Sequence, residues 1–408
     1  MKKVEARPLN VVCLASYFKG VEFLRECHRL GARVTLITRE KNLHHDWPRE
    51  ILDDVLAVPN DANEGLFTHT VTQIGRRHSI DQLVALEEYD VGPAASMREH
   101  LRLPGMGTST ARLFRDKLAM RERALGAGIR VPEFIHVLNY RALRDYMNRV
   151  IPPWVLKPRS DVSAVGIKKL SESEQVWRAI DALDARESPL EQSSFYLLER
   201  FIPGDVYHVD SLVDGNAVVF AAASRYGRPP MDVAHQGGVF ISHTVEHDSE
   251  DEKLLFEINQ QLISTLGLTI GAAHAEFIKS SATGDFYFLE IAVRVGGAFI
   301  AETIEAASGL NLWREWARIE LQKGDAPYRA EPTRSEYSGI ILSLARQEQP
   351  DTSRYDDSEI AFRVTKSRHA GLVVRSPRLS RVTALLDQYA VRFAEDFCAV
   401  VPPLERLH

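Results

Sequence analysis

Apolar residues along the first hundred positions switch between two periods. Short unbroken runs at Asn10–Ser16, Arg33–Thr38, Asp54–Pro59 and Gln82–Leu86 read as buried strands. Between them, Gly20–Leu30 and Asn63–His78 repeat apolar residues at helical spacing. Strand and helix in alternation predict a parallel sheet in a doubly wound α/β domain, whose switch-point crevice can receive a small ligand.

The pattern changes after the turn-rich connector Leu103–Thr108. A helix is predicted over Ser109–Gly126, ended by Gly128-Ile-Arg-Val-Pro132. Strands at Trp154–Pro158 and Ala164–Leu170 flank a small-residue loop, Arg159–Ser163, and a helix follows over Ser173–Ala185. That order describes a small α+β lid with a flexible segment around Ser160–Gly166. Further strands are expected at Phe195–Phe201 and Val206–Val213, the second turning at Asp214-Gly215-Asn216. Ser224–Gly238, rich in Gly, Pro, Arg and His, reads as a long loop. A helix at Glu250–Leu266 leads into two apolar arms, Ala272–Lys279 and Phe286–Val295, around a Thr-Gly-Asp turn. The last eighty residues hold strands at Ser338–Ala345 and Gly371–Ser376 and a helix near Ala384–Glu395, with no repeats or low-complexity segments.

Composition narrows the class. A chain of 408 residues exceeds one ordinary core and predicts two or three domains. A net charge of −6 gives no nucleic-acid footprint, and no apolar run is long enough to span a bilayer. Three cysteines without metal-ligand spacing fit a reducing, cytoplasmic setting, with Cys13 and Cys27 as small core residues. The first strand ends in Ser16-Tyr-Phe-Lys-Gly20, which lacks the G-x-G-x-x-G of dinucleotide binding and excludes a nicotinamide dehydrogenase.

Within the late hairpin, centring on Thr283 sets Glu276 directly opposite Glu290. Facing carboxylates, about 5 Å apart at Cβ, repel unless a cation lies between them. Oxygen ligands suit Mg²⁺ or Mn²⁺, and Mg²⁺ is usually shared between carboxylates and substrate phosphates. Upstream stand two lysines, Lys117 on a helix and Lys157 at a strand end before the small-residue loop, followed by Glu199-Arg-Phe-Ile-Pro-Gly204. Lysines and the N–H groups of a small-residue loop can hold a triphosphate. Strand alternation places Arg294 on the face of Glu290, suited to a carboxylate or phosphate; a structural salt bridge to Glu290 is the alternative. Arg225, Arg228 and His235 in the long loop are candidates for substrate closure.

The order Asp116-Lys117, Val155-Leu-Lys157-Pro, Leu198-Glu199-Arg-Phe-Ile-Pro-Gly204, His274-Ala-Glu276 and Glu290-Ile-Ala-Val-Arg294-Val-Gly-Gly297, with the linker Glu87-Glu-Tyr-Asp-Val-Gly-Pro-Ala-Ala95, resembles the ATP-grasp carboxylate–amine ligases over roughly Val11 to Gly309. The nearest branch is the bacterial L-amino acid ligases (dipeptide synthetases); biotin carboxylase and glycinamide ribonucleotide synthetase are more distant. The resemblance implies an α/β chain: a Rossmann-like parallel-sheet N-terminal domain (1–107), then a two-lobed α+β ATP-grasp domain. The latter comprises a small lid lobe with its linker helix (108–195) and a large lobe with the metal site and a C-terminal extension (196–408). It implies an ATP-dependent ligase that activates a carboxylate as an acyl-phosphate and couples it to an amine. The partners would be small-molecule carboxylate and amine substrates, with no nucleic acid and no membrane; a homodimer is the default assembly. Another ATP-grasp chemistry, a carboxylase or purine-pathway ligase, is the alternative, and a non-catalytic ATP-binding module a third.

Carried over by residue, Lys117 and Lys157 would contact ATP phosphates, and the backbone of Glu199, Arg200, Phe201 and Ile202 would read adenine. Glu276 and Glu290 would carry Mg²⁺. Arg294 would act on the acyl-phosphate or substrate carboxylate, and Gly296-Gly297 would let substrate approach. Two departures stand out. Ala292 occupies the position where many relatives have a metal-binding Asn; His274 opposite it, or a water, fills that gap, or else His274 merely packs beneath the site. The ribose acid is Asp205 or Asp210.

Overall fold

A computed structural model describes residues 7–160, 166–229, 238–322 and 328–399. Among these the strands form three sheets. The first contains β1 (Asn10–Ala15), β2 (Arg33–Arg39), β3 (Asp54–Val58) and β4 (Gln82–Ala85), all parallel, in the order β3-β2-β1-β4. Val11 to Ala15 are buried throughout, as expected of a parallel strand covered on both faces. The switch point lies between β1 and β4, and the loops leaving those strands carry Ser16–Lys19 and Glu87–Asp90.

This sheet is anchored to the C-terminal half through the helix Val21–Arg29, which packs on the helix Leu312–Leu321. The Phe23 and Trp316 rings lie 5.0 Å apart, and Glu26 accepts from both Arg29 and Arg318 at 2.6 Å.

The helix expected over Ser109–Gly126 is two helices, Thr108–Arg112 and Lys117–Gly126. Asp116 causes the break. Its carboxylate accepts from the Leu118 and Ala119 N–H groups and caps the second helix, so Lys117 becomes that helix's first residue. The linker around Gly92-Pro93 opens a helix, Val91–Leu101, because proline is tolerated in a first turn, where its missing N–H leaves no bond unmade.

The second sheet is antiparallel: β5 (Phe134–His136), β6 (Trp154–Pro158), β7 (Lys168–Leu170) and β8 (Tyr196–Arg200), ordered β5-β8-β6-β7. Most of the expected flexible segment between β6 and β7, residues 161–165, lies outside the described residues.

The third sheet has eight strands: β9 (Gly204–Asp214), β10 (Ala217–Tyr226), β11 (Phe240–Thr244), β12 (Ile270–Ser280), β13 (Phe286–Ala292), β14 (Tyr337–Leu344), β15 (Ile360–Arg363) and β16 (His369–Ser376). Their order is β13-β12-β9-β10-β11-β14-β16-β15. Gly215 and Asn216, both at positive φ, make the two-residue turn between β9 and β10. Ser224–Tyr226, expected in a loop, finish β10 instead, because Tyr226 pairs with Ser242 of β11. His235 lies outside the described residues.

The acidic hairpin has the expected register where it matters: Glu276 pairs with Glu290, and His274 with Ala292. A bulge after Glu276 shifts the tip by one residue, so Phe277 pairs with Phe288 rather than with Leu289.

Candidate active site

Glu276 and Glu290 project from neighbouring strands on one sheet face, both partly exposed. Their surroundings differ. Glu290 lies 3.1 Å from the Lys117 Nζ, which the first turn of its helix aims across the hairpin. Burial would raise the Glu290 carboxyl, but the Lys117 and Lys157 charges outweigh it and hold the group well below the usual range. Glu276 accepts a 2.9 Å hydrogen bond from the Tyr226 hydroxyl. Two hard carboxylates facing each other fit Mg²⁺ or Mn²⁺.

Lys157 does not reach the acidic pair directly. Its ammonium lies 2.6 Å from Glu199, which also binds Arg121 at 3.0 Å, and all three side chains are buried. Burial lowers Lys157 to about 8, with the Glu199 carboxylate working against the shift. Arg121 additionally donates to the Leu289 carbonyl, one residue before Glu290. Glu199 therefore acts through its side chain as a counter-ion, a role its strand position did not reveal. The Arg200 and Phe201 N–H groups donate to the carbonyls of Glu133 and Pro153. Ile202 follows them, buried beside Val206 and Ile278.

The second carboxylate rests on a buried chain. Asp210, with no exposed surface, accepts from His208 Nδ1 at 2.6 Å and His274 Nδ1 at 2.9 Å. His208 Nε2 lies 2.7 Å from the Ser242 hydroxyl. His274 Nε2 points outward, 3.4 Å from the Tyr226 hydroxyl and 3.5 Å from Glu276. Burial would lower His274, but Asp210 outweighs it and the imidazole is pushed up to about 9. Asp210, buried with a histidine on each oxygen, presents no surface to a ribose, whereas Asp205 is exposed and pairs with Arg225 at 2.9 Å. A Cβ on Gly296 would lie 2.6 Å from Asp210 Oδ1 and 3.1 Å from His274 Nδ1. The close approach at Gly296 is therefore made by this network, whereas Gly297 has nothing within 4 Å of its own Cβ position.

Arg294 does not pair with Glu290. Its guanidinium lies 3.2 Å from Glu88, in the loop after β4 of the N-terminal sheet. The other Glu88 oxygen takes Arg115 at 2.7 Å, and Arg115 also donates to the Ser160 carbonyl at 3.0 Å. Lys19 and Glu87 pair beside them at 2.6 Å. The switch-point crevice of the first sheet and the Arg294 end of the hairpin thus share one wall. Glu88, Arg115, Arg121, His208 and Tyr226 escaped the sequence reading; only Glu88 lay inside a stretch that carried the resemblance.

Comparison with known proteins agrees with this layout. An ATP-grasp N-terminal domain matches residues 24–105 and an ATP-grasp domain matches residues 150–302. The chain belongs to the ATP-grasp family and is a ligase of that family related to the amino acid ligases. An L-arginine-specific L-amino acid ligase of Bacillus subtilis is 23% identical over 296 residues, 71% of this chain and 69% of that protein. The L-amino acid ligase structure from Bacillus licheniformis superposes with a TM-score of 0.73 at 17% identity, covering 97% of this chain and 99% of that one. The biotin carboxylase domain of Hydrogenobacter thermophilus 2-oxoglutarate carboxylase, solved with MgADP, ADP and bicarbonate, has a TM-score of 0.71 at 14% identity, covering 96% and 91%. Among the described residues no helix is long and apolar enough to cross a membrane.

Proposed function

We propose that this chain joins a carboxylate, that of an amino acid, to an amine with ATP as the energy source, releasing ADP and phosphate. The observation that carries the proposal is the in-register pair Glu276–Glu290, with Lys117 on one carboxylate and Arg294 at the far end of the same strand.

Glu276 and Glu290 would hold Mg²⁺ or Mn²⁺, which supplies Lewis-acid neutralisation of phosphate charge. Lys117 and Lys157 exchange their carboxylate partners for phosphate oxygens when the triphosphate binds. Glu199 and Arg121 hold Lys157 in place, and His274, fixed by Asp210, orients Glu276 in compensation for Ala292. Arg294 leaves Glu88 for the substrate carboxylate or the phosphoryl group transferred to it. The carboxylate oxygen bonds to the γ-phosphorus as the bond to ADP breaks. The amine nitrogen then bonds to the acyl carbon, phosphate departs, and the amine gives up one proton. Positioning and electrostatics supply most of the acceleration in such a step. Ile202 packs against the base in this reading, whereas Asp205 lies on the sheet face opposite to that of Glu276.

Paired amino acids should give ADP release matched by an amide of the expected mass. Bicarbonate-dependent ADP release without an amine would replace this reading with a carboxylase. Tight ATP binding without turnover on any acid would reduce the chain to a binding module.

A further inference from the structure

Directly paired residues of an antiparallel sheet share a face, so the eight-stranded sheet can be read strand by strand from the acidic hairpin outward. The face that carries Glu290, Glu276, His274, His208 and Asp210 continues through Tyr226 on β10 to Ser242 and Phe240 on β11. It goes on through Ile340 and Leu342 on β14 and Val373 on β16 to Phe362 on β15. Tyr226 joins its acidic and aromatic parts. That hydroxyl bonds Glu276, whereas its ring lies 5.6 Å from Phe240. Beyond it Phe240, Ile340, Leu342, Val373 and Phe362 are apolar, whereas Ser242, Thr244 and Ser338 on the same face are polar.

The helix Ile300–Ser308 covers the middle of this floor, with Ala306 against Ile340 and Val373. Phe240, Leu342, Phe362 and Phe299 remain only half-buried around that cluster. Phe299 adds a wall, its ring 6.0 Å from Phe362. It hangs from the same strand end as Arg294, through Gly296-Gly297, and both Ala298 and Phe299 have φ between 51° and 60°. Two adjacent non-glycine residues in the left-handed region are strained, and strain of that kind gathers at ligand clamps.

We infer that this apolar extension receives the side chain of one of the joined amino acids, and that this amino acid bears a large aliphatic or aromatic group. The inference rests on the ligase reading for what the cleft does, and on the continuity of the sheet face for what it holds. Either the acyl donor or the amine donor can bring such a side chain.

The test compares leucine and phenylalanine with alanine and aspartate as substrates for the wild-type chain, Phe362→Ala and Phe362→Leu. We expect the wild type to favour the large apolar side chains by about 10-fold or more in kcat/KM, the range an apolar pocket supplies. Phe362→Ala should bring that ratio towards parity at unchanged KM for ATP, and Phe362→Leu should restore most of it. Mass spectrometry of the product distinguishes the two sources: the apolar residue is N-terminal if it is the acyl donor and C-terminal if it is the amine. A wild type that prefers alanine or aspartate, or a ratio indifferent to Phe362→Ala, overturns the inference. If no pair yields an amide, the ligase reading fails, and thermal stabilisation by the same amino acids in the presence of Mg²⁺ and ADP decides this one. Stabilisation by leucine and phenylalanine alone, lost in Phe362→Ala, supports it; equal or absent stabilisation overturns it.

Discussion

Glu290 and Glu276 face each other across one hairpin, yet one is held by an ionic cluster and the other by a hydrogen-bonded chain. Behind Glu290 stand Lys117, Lys157, Glu199 and Arg121, an ionic cluster whose members have long side chains and exchangeable partners. Behind Glu276 stand Tyr226, His274, Asp210, His208 and Ser242, short or ringed side chains joined in one buried chain. The first arrangement suits a ligand that arrives carrying its own negative charge, because each ammonium can trade a carboxylate for a phosphate. The second suits a carboxylate that must keep one orientation throughout. Under the proposed function, the nucleotide would lie on the lysine side and geometric control on the histidine side.

Removing Glu290 attacks the comparison hardest. Glu290→Gln takes a charge from the acidic pair and from the contact with Lys117, so turnover should fall by about 10³-fold, roughly 4 kcal/mol of transition-state stabilisation. Ligation at normal Mg²⁺ dependence in that variant would mean that the metal sits elsewhere. On the other side, Asp210→Asn keeps the shape but loses the charge that holds both histidines. Activity should drop about 10- to 100-fold, with more Mg²⁺ needed for half-maximal rate, as for other groups that orient a metal ligand. A loss of folding without any shift in Mg²⁺ dependence would make the histidine chain purely structural.

The smallest effect concerns pH. Burial sets Lys157 at about 8, below its unfolded value of 10.5. Below pH 8 the ammonium is charged and can bind phosphate; above it the charge is lost and KM for ATP should rise several-fold. Because the unfolded chain holds that proton up to higher pH, this group's contribution to stability increases between about pH 8 and 10.5 while affinity declines. Lys157→Arg, charged throughout, should flatten the KM profile. A profile identical in both forms would detach Lys157 from the nucleotide.

The acidic pair was legible in the sequence because a hairpin is local: two arms and a turn fix which residues oppose. The tip slipped by one residue because nothing in the arms announces a bulge after Glu276. The lysines and Glu199 were visible as an order of motifs, but the contact between Glu199 and Arg121 joins positions 78 residues apart. Arg294 and Glu88 lie 206 residues apart, and only docking of the first sheet onto the third brings them together. Asp210 is buried between two histidines while Asp205 is exposed on the opposite face of β9, and parity could not choose between them until the site-facing side of that strand was known. The break at Asp116 depended on a capping bond that competes with helix continuation inside an otherwise helical pattern.

The central claim is that the substrate carboxylate itself takes the phosphoryl group before the amine arrives. An amino acid labelled with ¹⁸O in its carboxylate, incubated with ATP, Mg²⁺ and an amine, tests it directly by mass spectrometry of the released phosphate. Transfer of one ¹⁸O into phosphate for each amide formed is the predicted result. Amide formation with unlabelled phosphate would contradict the account.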